Sequence, residues 1–256
     1  MRFKFGKNWI NYLTHLDAGN IATACHDLKR LLGKGSLVGQ TFLDIGSGSG
    51  LMSLAAKKMG AKVISFDYDV DSVNCTKMIK DKYYPEDPEW EVYSGSVLDP
   101  DFMGKFENID IIYSWGVIHH TGDMWAAITN IIGLAKRNNS DISLAIYNDQ
   151  GWISRYWLFI KKAYNKNTLL KILVILMHMP YLYFARIIYR AITGRLKLER
   201  GMLYWHDMID WLGGYPFEVA SPQKIIAHFD NNNYVMRNTN LCGNRHGCNE
   251  FFFKHK

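Results

Sequence analysis

A chain of 256 residues with 48% hydrophobic content has the length and apolar material for one elaborated α/β domain with a full core. Its four cysteines are scattered, which excludes a disulfide framework and makes a reducing cytoplasm the expected compartment; residues 1–7 are basic but no apolar stretch follows, so no signal segment is expected. The net charge of +6 is unevenly carried: residues 151–200 hold ten basic side chains against one acid, Glu199, so the basic excess belongs to that segment.

Residues 8–32 read as helical, with Ile10, Leu13, Leu16, Ile21, Ala24, Leu28 and Leu31 near helical spacing, and Gly33 and Gly35 end the region. The apolar run 42–45 predicts a buried strand that enters the turn Gly46-Ser47-Gly48-Ser49-Gly50, and a helix begins at Leu51. A strand over 63–67, a helix over 70–83 stopped by Pro85, and a short strand over 91–93 follow. A strand over 109–114, a helix over 124–135 and a strand over 142–147 continue the alternation, which implies a parallel sheet with helices on both faces. The alternation then stops, and an aromatic-rich insertion follows. Ser221 as N-cap and Pro222 in the first turn mark a helix over 223–229. Residues 234–237 and 250–253 read as two closing strands around a turn at 243–247. The expected organisation is an N-terminal helical segment (1–40), a ligand-binding core (41–150), a basic aromatic insertion (151–220) and the C-terminal part of the core sheet (221–256).

Chemistry concentrates in the turn after the first strand. Its glycines let the backbone turn tightly and approach a ligand closely. A Walker-type phosphate loop needs Gly-Lys-Ser/Thr, and this turn has no lysine. A dinucleotide site wants Gly-x-Gly-x-x-Gly, with a pyrophosphate on the helix N-terminus. The spacing here is Asp44-x-Gly46-x-Gly48-x-Gly50. A carboxylate repels a pyrophosphate and attracts an ammonium or sulfonium, so Asp44 suits a cationic amino-acid moiety. Asp67 ends the next strand about 20 residues on, where a ribose diol would be bound. Strand, turn, helix, strand and acid together closely resemble the pattern of class I S-adenosylmethionine-dependent methyltransferases. That resemblance implies an α/β fold with a Rossmann-like seven-stranded sheet, doubly wound and with its last strand antiparallel. N-terminal helices and a helical lid insertion would flank it.

Ligands of such sheets lie outside the carboxyl ends of the strands. The resemblance therefore places Asp44, Gly46, Ser47, Gly48 and Gly50 on the methionine part of S-adenosylmethionine and Asp67 on the ribose hydroxyls, with Tyr68 as a further cofactor contact. Asp69 is the weaker ribose candidate and reads also as a helix cap. Ser96 and Val97 fall beside the adenine, with Asp99 as an alternative acceptor for its amino group. After the fourth strand comes Ser114-Trp115-Gly116-Val117-Ile118-His119-His120-Thr121-Gly122. This is similar to the corresponding exit in small-molecule O- and C-methyltransferases, and it places Ser114 and Trp115 on the cofactor side. The Asn/Asp-Pro-Pro-Tyr/Phe motif that holds a flipped base in nucleic-acid methyltransferases is absent. Nucleic acid is therefore disfavoured and a small molecule is the expected partner.

A hydroxyl acceptor needs a base, and His119, His120 and His206 are the candidates. On a helix, Asp210 would share a face with His206 and could orient it. Each histidine also reads as a structural group bonded to backbone, and His206 with Asp210 as a surface pair. The acceptor is expected between these histidines, Tyr147, Asn148 and Tyr215, and a lid carrying Arg200.

Within the insertion, 169–179 is almost continuously apolar, Pro180 interrupts it, and 181–192 is a second apolar, aromatic stretch. Each piece is shorter than the roughly 20 residues a bilayer span needs. Two helices forming a lid or a homodimer contact are the expectation; peripheral membrane contact and RNA contact are the competing readings. Cys242, His246 and Cys248 offer three soft ligands in a short turn with no fourth nearby, which reads as a tight turn and not as a metal site.

The resemblance extends over Ala145-Ile146-Tyr147-Asn148-Asp149-Gln150-Gly151, Trp205-His206-Asp207-Met208-Ile209-Asp210-Trp211 and Gly214-Tyr215-Pro216-Phe217-Glu218-Val219-Ala220. It identifies a bacterial subgroup of methyltransferase-domain proteins. It implies S-adenosylmethionine as donor, S-adenosylhomocysteine as product, and O- or N-methylation of a small polar or anionic metabolite such as a sugar or phosphate derivative. Tailoring of surface polysaccharide or secondary metabolites is the setting it implies. A membrane-associated or scaffolding protein of the same fold, or an RNA methyltransferase, is the alternative.

Overall fold

The structure is a computed structural model describing residues 3, 6, 9, 13, 14, 16–194, 204–243 and 245–256, and of His206 the backbone only. Helix α1 (Ala18–Leu32) begins at a capping box, in which Asp17 accepts from the Asn20 amide and the Asn20 side chain accepts from the Asp17 amide. That cap divides the region read from sequence as a single helix over 8–32, since Leu16 and Asp17 leave the helical path.

Strand β1 (Thr41–Ile45), helix α2 (Leu51–Lys58), strand β2 (Lys62–Asp67), helix α3 (Val70–Tyr83) and strand β3 (Trp90–Ser94) form the first winding. The one-turn α4 (Pro100–Met103), strand β4 (Ile111–Trp115), helix α5 (Met124–Asn138) and strand β5 (Asp141–Tyr147) form the second. The insertion contributes α6 (Trp152–Tyr164), α7 (Thr168–Met179), a π-helical turn (Pro180–Ala185), α8 (Arg186–Ile192) and α9 (Tyr204–Gly213). Helix α10 (Pro222–Asp230) and strands β6 (Tyr234–Asn240) and β7 (Cys248–His255) complete the sheet.

The seven strands lie in the order β3-β2-β1-β4-β5-β7-β6. β7 runs antiparallel to both β5 and β6, while the pairs from β3 to β5 are parallel. The direction of winding reverses between β1 and β4, and a crevice opens there beyond their carboxyl ends. Side-chain parity divides the core. Leu43 and Ile45 point into one apolar layer with Ile128, Ile132 and Phe253, and Phe42 points into the other with Leu28, Leu54 and Trp90. A third cluster, built on Trp157, Tyr164, Met208 and Phe217, packs the insertion against Tyr147 at the exit of β5.

The two separate helices expected around Pro180 are corrected by the structure. The helix continues from Thr168 to Ile192, and Pro180 sits within it at φ −56° and ψ −41°. Proline cannot donate to the preceding turn and crowds its carbonyl; the local widening to π spacing absorbs both defects.

Phe253 is fully buried and stacks on Phe229, with ring centroids 4.0 Å apart. Phe253→Ala should lose about 3–5 kcal/mol in urea unfolding. A loss under about 1 kcal/mol would place β7 outside the cooperative core.

Candidate active site

The glycine turn closes over the end of β2. The amides of Gly46 and Ser47 donate to the Phe66 carbonyl at 2.8 and 3.1 Å, and the Gly48 amide donates to Asp67 Oδ2 at 3.0 Å. The Gly50 amide donates to the Ser47 carbonyl at 2.8 Å, and Ser47 Oγ pairs with Thr76 Oγ1 at 2.8 Å. These amides are spent within the fold, whereas a phosphate-binding turn directs them at its anion. Gly46 has φ +75°, and a Cβ there would come within 2.3 Å of Val117, so the loop after β4 presses directly on this residue.

Asp44 needs a correction. Its parity in β1 turns it away from the crevice and under α2, where it is 2% exposed and accepts from Ser53 Oγ at 2.5 Å. Ser53 Oγ in turn pairs with Ser65 Oγ. Burial pushes the Asp44 carboxyl up to about 7, and the neighbouring charge of Asp67 adds to the rise. Asp44 therefore supports the turn from below instead of facing an ammonium.

Asp67 sits at the crevice, half-buried, and its second oxygen accepts from the Asp69 amide at 2.9 Å. Tyr68 beside it is 59% exposed. Asp69 caps α3 by accepting from the Asp71 amide. Ser96 Oγ accepts from the Leu98 amide, Val97 is buried, and Asp99 Oδ1 caps α4. The described N-terminal residues cross this end of the sheet. The Phe3 amide donates to the Tyr215 carbonyl at 2.8 Å, and the Gly6 amide donates to Asp69 Oδ2 at 3.0 Å. A Cβ on Gly48 would lie 3.3 Å from the Trp9 indole nitrogen, so Trp9 covers the turn. Trp9 was missed in the sequence because an aromatic within a helical pattern reads as core.

At the β4 exit, Ser114 is buried and donates to the Ile45 carbonyl, which joins β4 to β1. Trp115 donates its indole N–H to Glu250 Oε1 at 2.7 Å, so its ring is held against the β7 side. The two histidines that follow take different tautomers. The Tyr147 amide donates to His119 Nδ1 at 3.3 Å, so a neutral His119 carries its proton on Nε2, which finds no partner among the described residues. His119 is fully buried, 3.9 Å from the Tyr147 ring, and burial holds its pKa well below the usual histidine range. Its ring is enclosed between those of Tyr147 and His120. His120 donates Nδ1–H to the Pro216 carbonyl at 2.6 Å, which puts its basic lone pair on Nε2.

Asn148 is likewise corrected. Its amide nitrogen donates to the Gly243 carbonyl at 2.7 Å and its oxygen accepts from Asn249 at 3.0 Å, so it staples the β6–β7 hairpin to β5. Tyr147 is half-buried, with its hydroxyl pKa pushed well above the usual value by burial. In the hairpin turn, His246 packs its ring on Trp157 and Trp211, and Cys242 Sγ lies against the Arg245 carbonyl.

Lys161 escaped the sequence reading, which counted it only as one of the ten basic residues of the segment 151–200. It is fully buried, donates to the Trp211 carbonyl, and lies 4.5 Å from the Trp211 ring centroid and 4.9 Å from that of Phe217. Burial lowers its pKa to about 7, against the opposing pull of Asp210. The available signal was its spacing: it falls on the buried stripe of Trp157, Ile160 and Tyr164. Asp210 therefore acts on Lys161, while the side chain of its expected partner His206, and Arg200, lie outside the described residues. A pocket of about 280 Å3 opens beside the β5 exit, lined by Asp149, Gly151, Ser154, Arg155, Leu158, Phe217 and Val219.

A family model described as a methyltransferase domain matches residues 15–156. A ribosomal protein L11 methyltransferase from Macrococcus caseolyticus is 32% identical over 145 residues, 54% of this chain and 40% of the relative. The chain thus spans well under two thirds of the length of the curated relative it matches. Among solved structures, magnesium protoporphyrin IX methyltransferase from Synechocystis PCC 6803, with bound S-adenosylhomocysteine, superposes with a TM-score of 0.55. It is 14% identical, over 93% of this chain and 84% of that one. Mitomycin 7-O-methyltransferase superposes at 0.50, with 10% identity over 93% of this chain and 55% of that one. At these identities the likeness is one of fold.

The position of Asp44 has a consequence for stability. Below about pH 4 its carboxyl is protonated in both folded and unfolded chains and carries no penalty. Because the folded value is raised to about 7, stability is lost as pH rises from 4 through 7. In ligand-free protein, Asp44→Asn should gain on the natural chain by up to about 4 kcal/mol between pH 4 and pH 7.5, read from urea midpoints. Parallel pH profiles for the two chains would show that Asp44 ionises normally.

Proposed function

The chain belongs to the methyltransferase-domain family, and from that premise we propose that it is a class I S-adenosylmethionine-dependent methyltransferase acting on an oxygen or nitrogen of a small polar metabolite, a sugar or phosphate derivative. The observation that supports this acceptor is the pocket beside the β5 exit. Its volume of about 280 Å3 suits a small molecule. Arg155 in its lining offers a planar fork suited to a carboxylate or phosphate, and Asp149 offers an acceptor for hydroxyls.

The residues present fit the donor. Asp67 would take the ribose hydroxyls, the exposed ring of Tyr68 would lie on the adenine, and Ser96, Val97 or Asp99 would meet its edge. The turn has spent its amides, which leaves a surface for an uncharged sugar and a methionine chain in place of a pyrophosphate. When bound, S-adenosylmethionine would supply a sulfonium methyl group open to in-line attack by the acceptor, with the sulfur of S-adenosylhomocysteine as the leaving group. The protein's share is alignment, exclusion of water and removal of the acceptor proton. Trp9 over the turn serves exclusion. His120 serves as the base, because the Pro216 carbonyl fixes the tautomer with Nε2 as its acceptor nitrogen.

Calorimetry with S-adenosylhomocysteine tests the donor site. Asp67→Ala should weaken binding about 10–150-fold, the worth of a charge-assisted hydrogen bond. Asp67→Asn, which keeps an acceptor for the Gly48 amide, should separate ribose contact from support of the turn; unchanged affinity in both removes the ribose role.

His120→Gln should lower kcat about 10²–10⁴-fold and flatten the acid limb of the pH–rate profile; full turnover removes the base. Labelled methyl transfer to a panel of sugar phosphates, hydroxy acids and ribosomal components tests the acceptor. Label that enters ribosomal protein or RNA alone overturns the small-molecule reading.

A further inference from the structure

We propose that the insertion is a docking surface for an anionic lipid bilayer, with the helix from Thr168 to Ile192 lying in the plane of the interface. The helix runs 25 residues with a mean hydropathy of 1.6 over its most apolar stretch, yet only 17% of that stretch is buried. A core helix hides its apolar side, as α5 does with Ile128, Ile131, Ile132 and Leu134. Here the buried positions are Val174, His178 and Leu182, one narrow stripe facing α6 and α9. The opposite side presents Leu169, Leu173, Leu176, Met177, Tyr181 and Ile188, each 50–68% exposed. Exposed apolar area of this extent marks an interaction surface.

Helix α6 extends it. Trp152 and Phe159 are 69% and 68% exposed, and Tyr156 Oη bonds His178 Nε2 at 2.8 Å, which holds α6 against the inner stripe of the long helix. Aromatic side chains of this kind favour the level of lipid headgroups.

Charge selects the occupant. Lys162, Lys166 and Lys171, on α6, the connection after it and the long helix, are exposed, and residues 151–198 contain no acid. A second copy docked face to face would set these cations against one another with no carboxylate from either segment. An anionic membrane answers both the apolar side and the exposed lysines.

The helix is long enough to cross a bilayer at about 1.5 Å per residue, but its attachments oppose crossing. Its inner stripe is packed along the folded domain, and Arg186 pairs with Asp207 of α9. An in-plane position keeps those contacts and immerses only the outer side.

Vesicle co-sedimentation of the whole chain tests the proposal. Binding is expected to vesicles of phosphatidylcholine with about 30% phosphatidylglycerol, and to fall steeply when phosphatidylglycerol is left out or salt is raised. The triple variant Leu173→Glu, Leu176→Glu, Tyr181→Glu should lower partition more than about tenfold, with melting temperature and S-adenosylhomocysteine affinity retained because these side chains face outward. Lys162→Gln, Lys166→Gln and Lys171→Gln should each cost up to about fivefold on anionic vesicles. Absence of binding to anionic vesicles, or equal binding by the glutamate variant, overturns the proposal. So does a dimer in lipid-free buffer, seen by sedimentation equilibrium, that the same glutamates dissolve, since it assigns the surface to a second copy.

Discussion

The carboxylate of Asp67 accepts hydrogen bonds from the amides of Gly48 and Asp69, and much of the site follows from those two bonds. The first locks the exit of β1 to the exit of β2, the second fixes the carboxylate at the end of β2, and the Phe66 carbonyl beside them takes two further amides of the glycine turn. A turn built this way has few donors left for an anion. It offers a neutral surface bordered by one carboxylate, which favours hydroxyls and a cationic amino acid over a phosphate. Covering residues then gather on it: Val117 presses on Gly46 from β4, and Trp9 lies over Gly48.

Much of this end of the molecule was legible in the sequence. The strands are short apolar runs ended by glycines and acids, and their alternation with helices allowed few arrangements. The placements that failed depended on information that a motif omits. Asp44 sits two residues from Phe42, so strand parity sends both to the α2 side. Asn148 lies in a segment expected to face substrate, but its partners, Gly243 and Asn249, are about a hundred residues away in sequence. Lys161 reads as one more basic residue until α9 folds over it and brings the Trp211 carbonyl to its ammonium. Pro180 reads as a break because the π turn that accommodates it has no marker of its own in the sequence.

The insertion and the sheet follow opposite electrostatic rules. Among the described residues the acids around the glycine turn are engaged within the fold, Asp67 and Asp69 at the crevice by backbone amides and Asp44 beneath it by the Ser53 hydroxyl. The insertion is basic, and one of its lysines is driven inside, where burial lowers its pKa to about 7. The two regions meet at Tyr147, whose ring touches His119, His120, Trp211 and Phe217. A displacement of the insertion would therefore be felt at the histidines through packed rings, without a flexible tether between them.

The place of β7 in the sheet also governs how the chain can be made. β5 bonds to β7, which is translated about a hundred residues later. At synthesis rates of roughly 5–20 residues per second, the apolar edge of β5 waits about 5–20 s for its partner. During that interval the nascent chain presents an unpaired, hydrophobic strand, the kind of edge that other chains can add to. Arrival of Phe251, Phe252 and Phe253 ends the exposure by filling both faces at once. The yield of folded protein is thus tied to the interval between two distant strands, and a stalled ribosome in the insertion would lengthen it.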